Sequence, residues 1–81
     1  MSSPTDREFE SFLTEFGLNV KKARTVQGKT QEWMDDKQDY GIDIKHYQSI
    51  EQGRANVTLK TIFKICRKLK IPPSALFADL K

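Results

Sequence analysis

The chain has a single cysteine, Cys66, so no disulfide can form within it. It has no long apolar run: the longest, Ala75-Leu76-Phe77-Ala78, has four residues, far short of the roughly twenty that a membrane-spanning helix needs. It has one histidine, His46, with no second ligand at metal-binding spacing. Nothing resembles a catalytic constellation, so an enzyme is not expected, and neither is a cofactor or a small-molecule ligand. The start, Met1-Ser2-Ser3-Pro4-Thr5-Asp6, lacks the basic residues and apolar stretch of a secretory signal. No segment alternates apolar and polar residues as a half-buried strand does. These absences leave an all-helical, single-domain, cytoplasmic chain as the expectation.

The 81 residues are enough for one small core, and 37% of them are hydrophobic. A domain this size buries a modest share of its surface, so pairing with a second copy would add stability. The net charge is only +3, but its distribution is uneven. Residues 21–29 carry Lys21, Lys22, Arg24 and Lys29 with no acid; residues 60–70 carry Lys60, Lys64, Arg67, Lys68 and Lys70 with no acid. Residues 1–20 are net acidic through Asp6, Glu8, Glu10 and Glu15, and 32–39 through Glu32, Asp35, Asp36 and Asp39. Basic stretches of this kind suit a polyanionic partner, although solvated helices also carry mixed charge. The acidic cluster matches no calcium-loop spacing and reads as a solvated face.

Start and stop signals divide the chain. Ser3-Pro4 reads as a helix cap followed by a first-turn proline. Phe9, Phe12, Leu13, Phe16, Val20 and Ala23 then recur at three- and four-residue steps, the pattern of an amphipathic helix. Gly17 interrupts that run and marks a kink or a break between an N-terminal arm and the helix that follows. Gly28 is a stop signal. Thr30 caps a short second helix that ends before Tyr40-Gly41, and Asp43 caps a third that stops at Gly53. Thr58 caps a fourth, with Leu59, Ile62, Phe63, Ile65, Cys66 and Leu69 on its apolar side; Cys66 reads as core packing. Pro72-Pro73 ends it, and Pro73 opens a last short helix carrying Ala75, Leu76 and Phe77.

Two short helices joined by a glycine-containing turn, the second with a polar outer face, have the layout of a DNA-binding helix-turn-helix. Five pieces in order carry a closer likeness: Asn19-Val20-Lys21-Lys22-Ala23-Arg24, Gly28-Lys29-Thr30-Gln31-Glu32, Ile50-Glu51-Gln52-Gly53-Arg54, Asn56-Val57-Thr58-Leu59-Lys60-Thr61 and Ser74-Ala75-Leu76-Phe77. Together they resemble the phage repressor/Cro (XRE) family of transcription regulators over residues 16–77. The resemblance implies an all-α, five-helix, lambda-repressor-like DNA-binding domain at 16–81, preceded by a helical extension at 1–15. It implies sequence-specific binding of double-stranded DNA by a small repressor or controller protein acting as a homodimer.

The same resemblance assigns roles. Ile44, Lys45 and Ser49 fall where the family reads base edges. Lys45 suits guanine O6/N7, Ile44 a thymine methyl, and Ser49 either kind of edge. Gln31 falls where the family holds a phosphate and braces the reading helix. His46, Gln48, Gln52, Arg54 and Asn56 fall at positions touching the DNA backbone, which set register rather than sequence. Leu76, Phe77 and Leu80 are the expected dimer contacts. Two departures stand out. The stretch at 37–40 holds two residues more than the family pattern, and Asp35 follows Met34 where a small residue is usual. Trp33 replaces a residue that is usually polar; it reads as a cover for the longer turn or as a partner contact. A protein-interaction module that kept the fold and lost DNA binding is the competing function, favoured by the acidic stretch 32–39.

Overall fold

The computed structural model describes residues 3–35 and 40–80, and among them every regular element is helical. Four α-helices, α1 (Pro4–Thr25), α2 (Gln31–Met34), α3 (Ile44–Glu51) and α4 (Leu59–Leu69), are followed by a single 3-10 turn at Pro73–Ala75. The expected fifth helix is thus one turn. Pro72 and Pro73 fix its entry, and a segment this short gains too few hydrogen bonds to propagate an α-helix.

Each α-helix starts where its sequence places an oxygen for the first free amide groups. Ser3 and Asp6 form a reciprocal capping box on α1. Thr30 accepts from the Trp33 amide, Asp43 from the His46 amide and Thr58 from the Thr61 amide. The stops differ from one another. Helix α1 ends at Thr25, and Gly28 follows in the left-handed region with φ of 69°. Helix α4 ends through Lys70, a non-glycine residue at φ of 56°, so its reversal precedes the two prolines.

No break occurs at Gly17; α1 is one helix throughout. The glycine serves packing instead. A Cβ there would lie 2.7 Å from the Glu51 carbonyl oxygen and closer still to that of Ile50. Only a residue without a side chain lets α1 cross the C-terminal end of α3 at this distance. Gly53 repeats the device against the Thr14 backbone, with a left-handed φ of 73° as well.

The core gathers Phe16 and Val20 from α1, Met34 from α2, Ile42, Tyr47 and Ile50 around α3, Ile65, Cys66 and Leu69 from α4, and Leu76. Residues 3–11 lie outside it and are exposed throughout. The molecule is accordingly elongated, 41 × 23 × 20 Å. Side-chain amides of α1 and the turn after it tie down the C-terminal half. Gln27 donates to the Leu69 carbonyl at 2.7 Å, and Asn19 donates to those of Leu76 and Ala78 at 3.0 and 2.9 Å. These bonds satisfy carbonyls that α4 and the final turn leave open.

Candidate nucleic-acid interface

Helix α3 turns Tyr47, Ile50 and Glu51 inward. At about 100° per residue, this leaves Lys45, Ser49 and Gln52 along the opposite face, with His46 and Gln48 at its flanks. Lys45, His46 and Gln52 are exposed, and Ile44, Gln48 and Ser49 are half-buried. Ile44 stands at the border beside the buried Glu51 face rather than at the centre of the outer one. The Ser49 hydroxyl donates to the Lys45 carbonyl at 3.0 Å, which holds its oxygen against the helix with its lone pairs outward. Beyond the helix, Arg54 and Asn56 are both exposed.

The inner side of α3 is locked by charge. Arg24 donates from Nε to Glu51 Oε2 at 2.7 Å and from Nη2 to Oε1 at 3.0 Å, while its Nη1 donates to the Lys29 carbonyl at 2.8 Å. Both side chains are buried. Gln31 donates to Glu51 Oε1 at 3.1 Å and accepts from Gln48 Nε2 at 3.2 Å. The chain of bonds Arg24–Glu51–Gln31–Gln48 therefore joins α1, α3 and α2. The paired hydrogen bonds to Glu51 hold the Arg24 guanidinium above its ordinary range. Burial pushes the Glu51 carboxyl up, but the bonds from Arg24 and Gln31 outweigh it and hold the group below the usual carboxylate range.

Tyr47 completes the cluster. Its hydroxyl is buried beside these groups with no hydrogen-bond partner among the described residues, and burial drives it far above the ordinary phenol value. The ring nevertheless fills the centre of the core. Arg24, Tyr47 and Glu51 do not stand out as functional positions in the sequence. The available signal is an arginine and a glutamate sitting on otherwise apolar stripes, Val20–Arg24 and Tyr47–Ile50–Glu51.

Gln31 and Gln48 meet each other across the α2–α3 junction: Gln31 has both its Nε2 and its Oε1 engaged inside the protein, and Gln48 its Nε2. Leu76 is 0% exposed and lies within the chain's own core, so it offers no surface to a second copy. Leu80 is half-buried against that core, and Phe77 packs on Phe16 with ring centroids 5.2 Å apart while remaining 40% exposed. Trp33 is half-buried, with the ammonium groups of Lys29 and Lys68 over its ring at 4.7 and 4.5 Å. Asp35 is half-buried at the end of α2. Of the longer stretch expected at 37–40, residues 37–39 lie outside the described residues. Burial pushes the Cys66 thiol up, away from the reactive thiolate. Among the described residues no cluster of side chains has metal-binding geometry, and no helix is long and apolar enough to cross a membrane.

No family model and no curated protein matches the sequence. Among solved structures, the chain is similar to the restriction-modification controller protein C.AhdI from Aeromonas hydrophila. The two share 34% identity and a TM-score of 0.73, over 80% of this chain and 96% of the other. At that identity, with nearly all of the second chain spanned, the likeness covers a whole fold. The chain belongs to the phage repressor/Cro (XRE) family of helix-turn-helix transcription regulators. In the helix-turn-helix layout of that family, α2 and α3 take the places of the two helices of the motif. The polar lock behind α3 sets the angle at which that helix leaves the core.

Proposed function

We propose that the chain binds double-stranded DNA sequence-specifically and regulates transcription as a small dimeric repressor or controller protein. The observation that carries this reading is the contrast between the two faces of α3. Its outer arc carries the exposed Lys45 and Gln52 with the half-buried Ser49 between them, while its inner side is fixed by the Arg24–Glu51–Gln31–Gln48 bonds. An α-helix with its side chains is about 10–12 Å across, and the major groove, about 12 Å wide, admits it. Lys45 and Ser49 read base edges, with Ile44 at the border of the same face. His46, Gln48, Gln52, Arg54 and Asn56 contact phosphates and sugars, and Gln31, whose amide is engaged at both ends, braces the reading helix and reaches a phosphate only with its second amide hydrogen. The identity of C.AhdI as a restriction-modification controller supports the regulatory part of the reading.

Two copies present two α3 helices to half-sites about 34 Å apart. Phe77 and Leu80 belong to the dimer face, and Phe63 and Leu59 of α4, 48% and 82% exposed, extend it. The protein acts in the cytoplasm, where its DNA lies.

Titration of a duplex from the chain's own upstream region at two salt concentrations tests the reading. Binding is expected, with affinity falling steeply as salt rises. Lys45→Ala relaxes sequence preference, by about 1–3 kcal/mol at one base pair, whereas Arg54→Ala weakens all duplexes alike. No binding at low salt would point to the protein-interaction module instead.

A further inference from the structure

We infer that the first three turns of α1 are an exchange arm: its apolar stripe docks into the groove along α4 of a second copy. The inference rests on the dimeric reading above and adds a surface to it.

The arm has an amphipathic face whose outer end is uncovered: Phe9 is exposed, Phe12 and Leu13 are half-buried, and Phe16 at the root is buried in the chain's own core. Phe9 is 43% exposed, and every residue from 3 to 11 is exposed. At about 100° per residue, Phe9, Phe12, Leu13 and Phe16 share one narrow stripe. Asp6 and Glu10 line one edge of that stripe, Glu8 and Glu15 the other, and Arg7 lies on the far side.

The groove is the complement of the arm. It encloses about 620 Å³ between α4 and the final turn, with Leu59, Ile62, Phe63 and Phe77 on its floor and walls. Arg67 and Lys70 stand on its rim, with the Arg67 guanidinium 5.1 Å from the Phe63 ring. An apolar stripe edged by carboxylates thus faces an apolar groove edged by cations. Their lengths agree too: twelve arm residues span about 18 Å and the eleven of α4 about 16 Å.

The arm cannot cover its own groove. Phe16, at its root, stacks on Phe77 at the groove's lip. Helix α1 then runs unbroken away from the core to Pro4, and a straight helix does not turn back. A two-fold related copy places the two arms reciprocally, each across the partner's α4.

The test uses the full chain carrying a photoreactive benzoylphenylalanine at position 9, mixed as light and heavy isotopic forms and irradiated. Cross-links from position 9 to residues 59–77 are expected in light–heavy pairs. In parallel, Phe9→Glu should weaken self-association measured by sedimentation by about tenfold or more, with the helix content of the monomer unchanged because Phe9 is exposed. Cross-links confined to single-label products, or a Phe9→Glu dimer as tight as the parent, would overturn the arm and leave the dimer standing. A parent chain that stays monomeric at tens of micromolar would overturn both.

Discussion

Around α3 the chain uses its polar side chains on itself: Arg24, Gln31, Gln48 and Glu51 are joined across three helices, and two glycines let backbones touch. Along α4 and the arm of α1 the arrangement is reversed. Phe9, Leu59 and Phe63 face outward, and among the described residues no comparable lock ties the arm to the body. The difference is one of tolerance. Under the proposed function α3 meets base edges, and directional bonds hold it in one geometry. An apolar face that meets another apolar face can adjust its packing. Mutations on the two sides should therefore differ in size and in what they disturb.

The largest effect is expected from cutting the lock. Arg24→Ala or Glu51→Ala leaves a buried charge without its partner and should destabilise the fold by about 3–5 kcal/mol, read as a drop in the urea midpoint. The same pair sets a pH dependence. Glu51 in the folded chain titrates below its ordinary value, so its contribution is complete above about pH 4.3, the ordinary glutamate value. It is lost as pH falls through the lower folded value, because protons then bind the unfolded chain more readily. Glu51→Gln, which keeps the shape and removes the titration, should flatten that acid limb. An acid limb identical to the parent's would mean that other carboxylates carry it.

How far the sequence announces these two regions follows from the range of the interactions. The caps Ser3, Thr30, Asp43 and Thr58 act within three residues, and all four are legible in the sequence by itself. The helix at 44–51 is legible for the same reason. Gly17 is legible as an exception but not as a contact, because its cause is a pair of carbonyls more than thirty residues away. The Arg24–Glu51 pair, 27 residues apart, is likewise hidden by its separation along the chain. The resemblance places Leu76 at a dimer interface; it is core instead, because the chain folds back beneath α1, where Asn19 holds the Leu76 carbonyl.

A smaller but more diagnostic effect should come from Gly17→Ala. Two terms oppose each other. Alanine favours a helix interior by about 1 kcal/mol. Against this, its Cβ meets two backbone carbonyls that have no rotamer with which to yield, one of them 2.7 Å away. Overpacking of this kind costs about 1–3 kcal/mol. With no flexible neighbour to move, the clash prevails, the midpoint falls, and α3 must shift relative to α1. DNA affinity should then drop more than stability, whereas a change as large beside the exposed arm would leave affinity untouched. A stabilised Gly17→Ala chain would mean that the end of α3 is less rigid than the lock implies.

The smallest effect sharpens the contrast from the other side. Lys70 closes α4 at φ of 56°, a conformation that costs an L-residue about 1–2 kcal/mol. Glycine removes that cost, but loses about 0.5–1 kcal/mol of backbone entropy on folding. The net for Lys70→Gly is a gain of up to about 1.5 kcal/mol, measurable by urea unfolding at a concentration low enough to keep the chain monomeric. Lys70 also stands on the rim of the α4 groove, where its ammonium faces the carboxylate edges of a docked arm. Stability of the monomer and strength of self-association should therefore move in opposite directions, the first up and the second down. At the lock around α3 both would fall together, since disturbing it unsettles the whole fold. If Lys70→Gly raised both, the rim charge would contribute nothing to pairing, and the two regions would differ in packing alone.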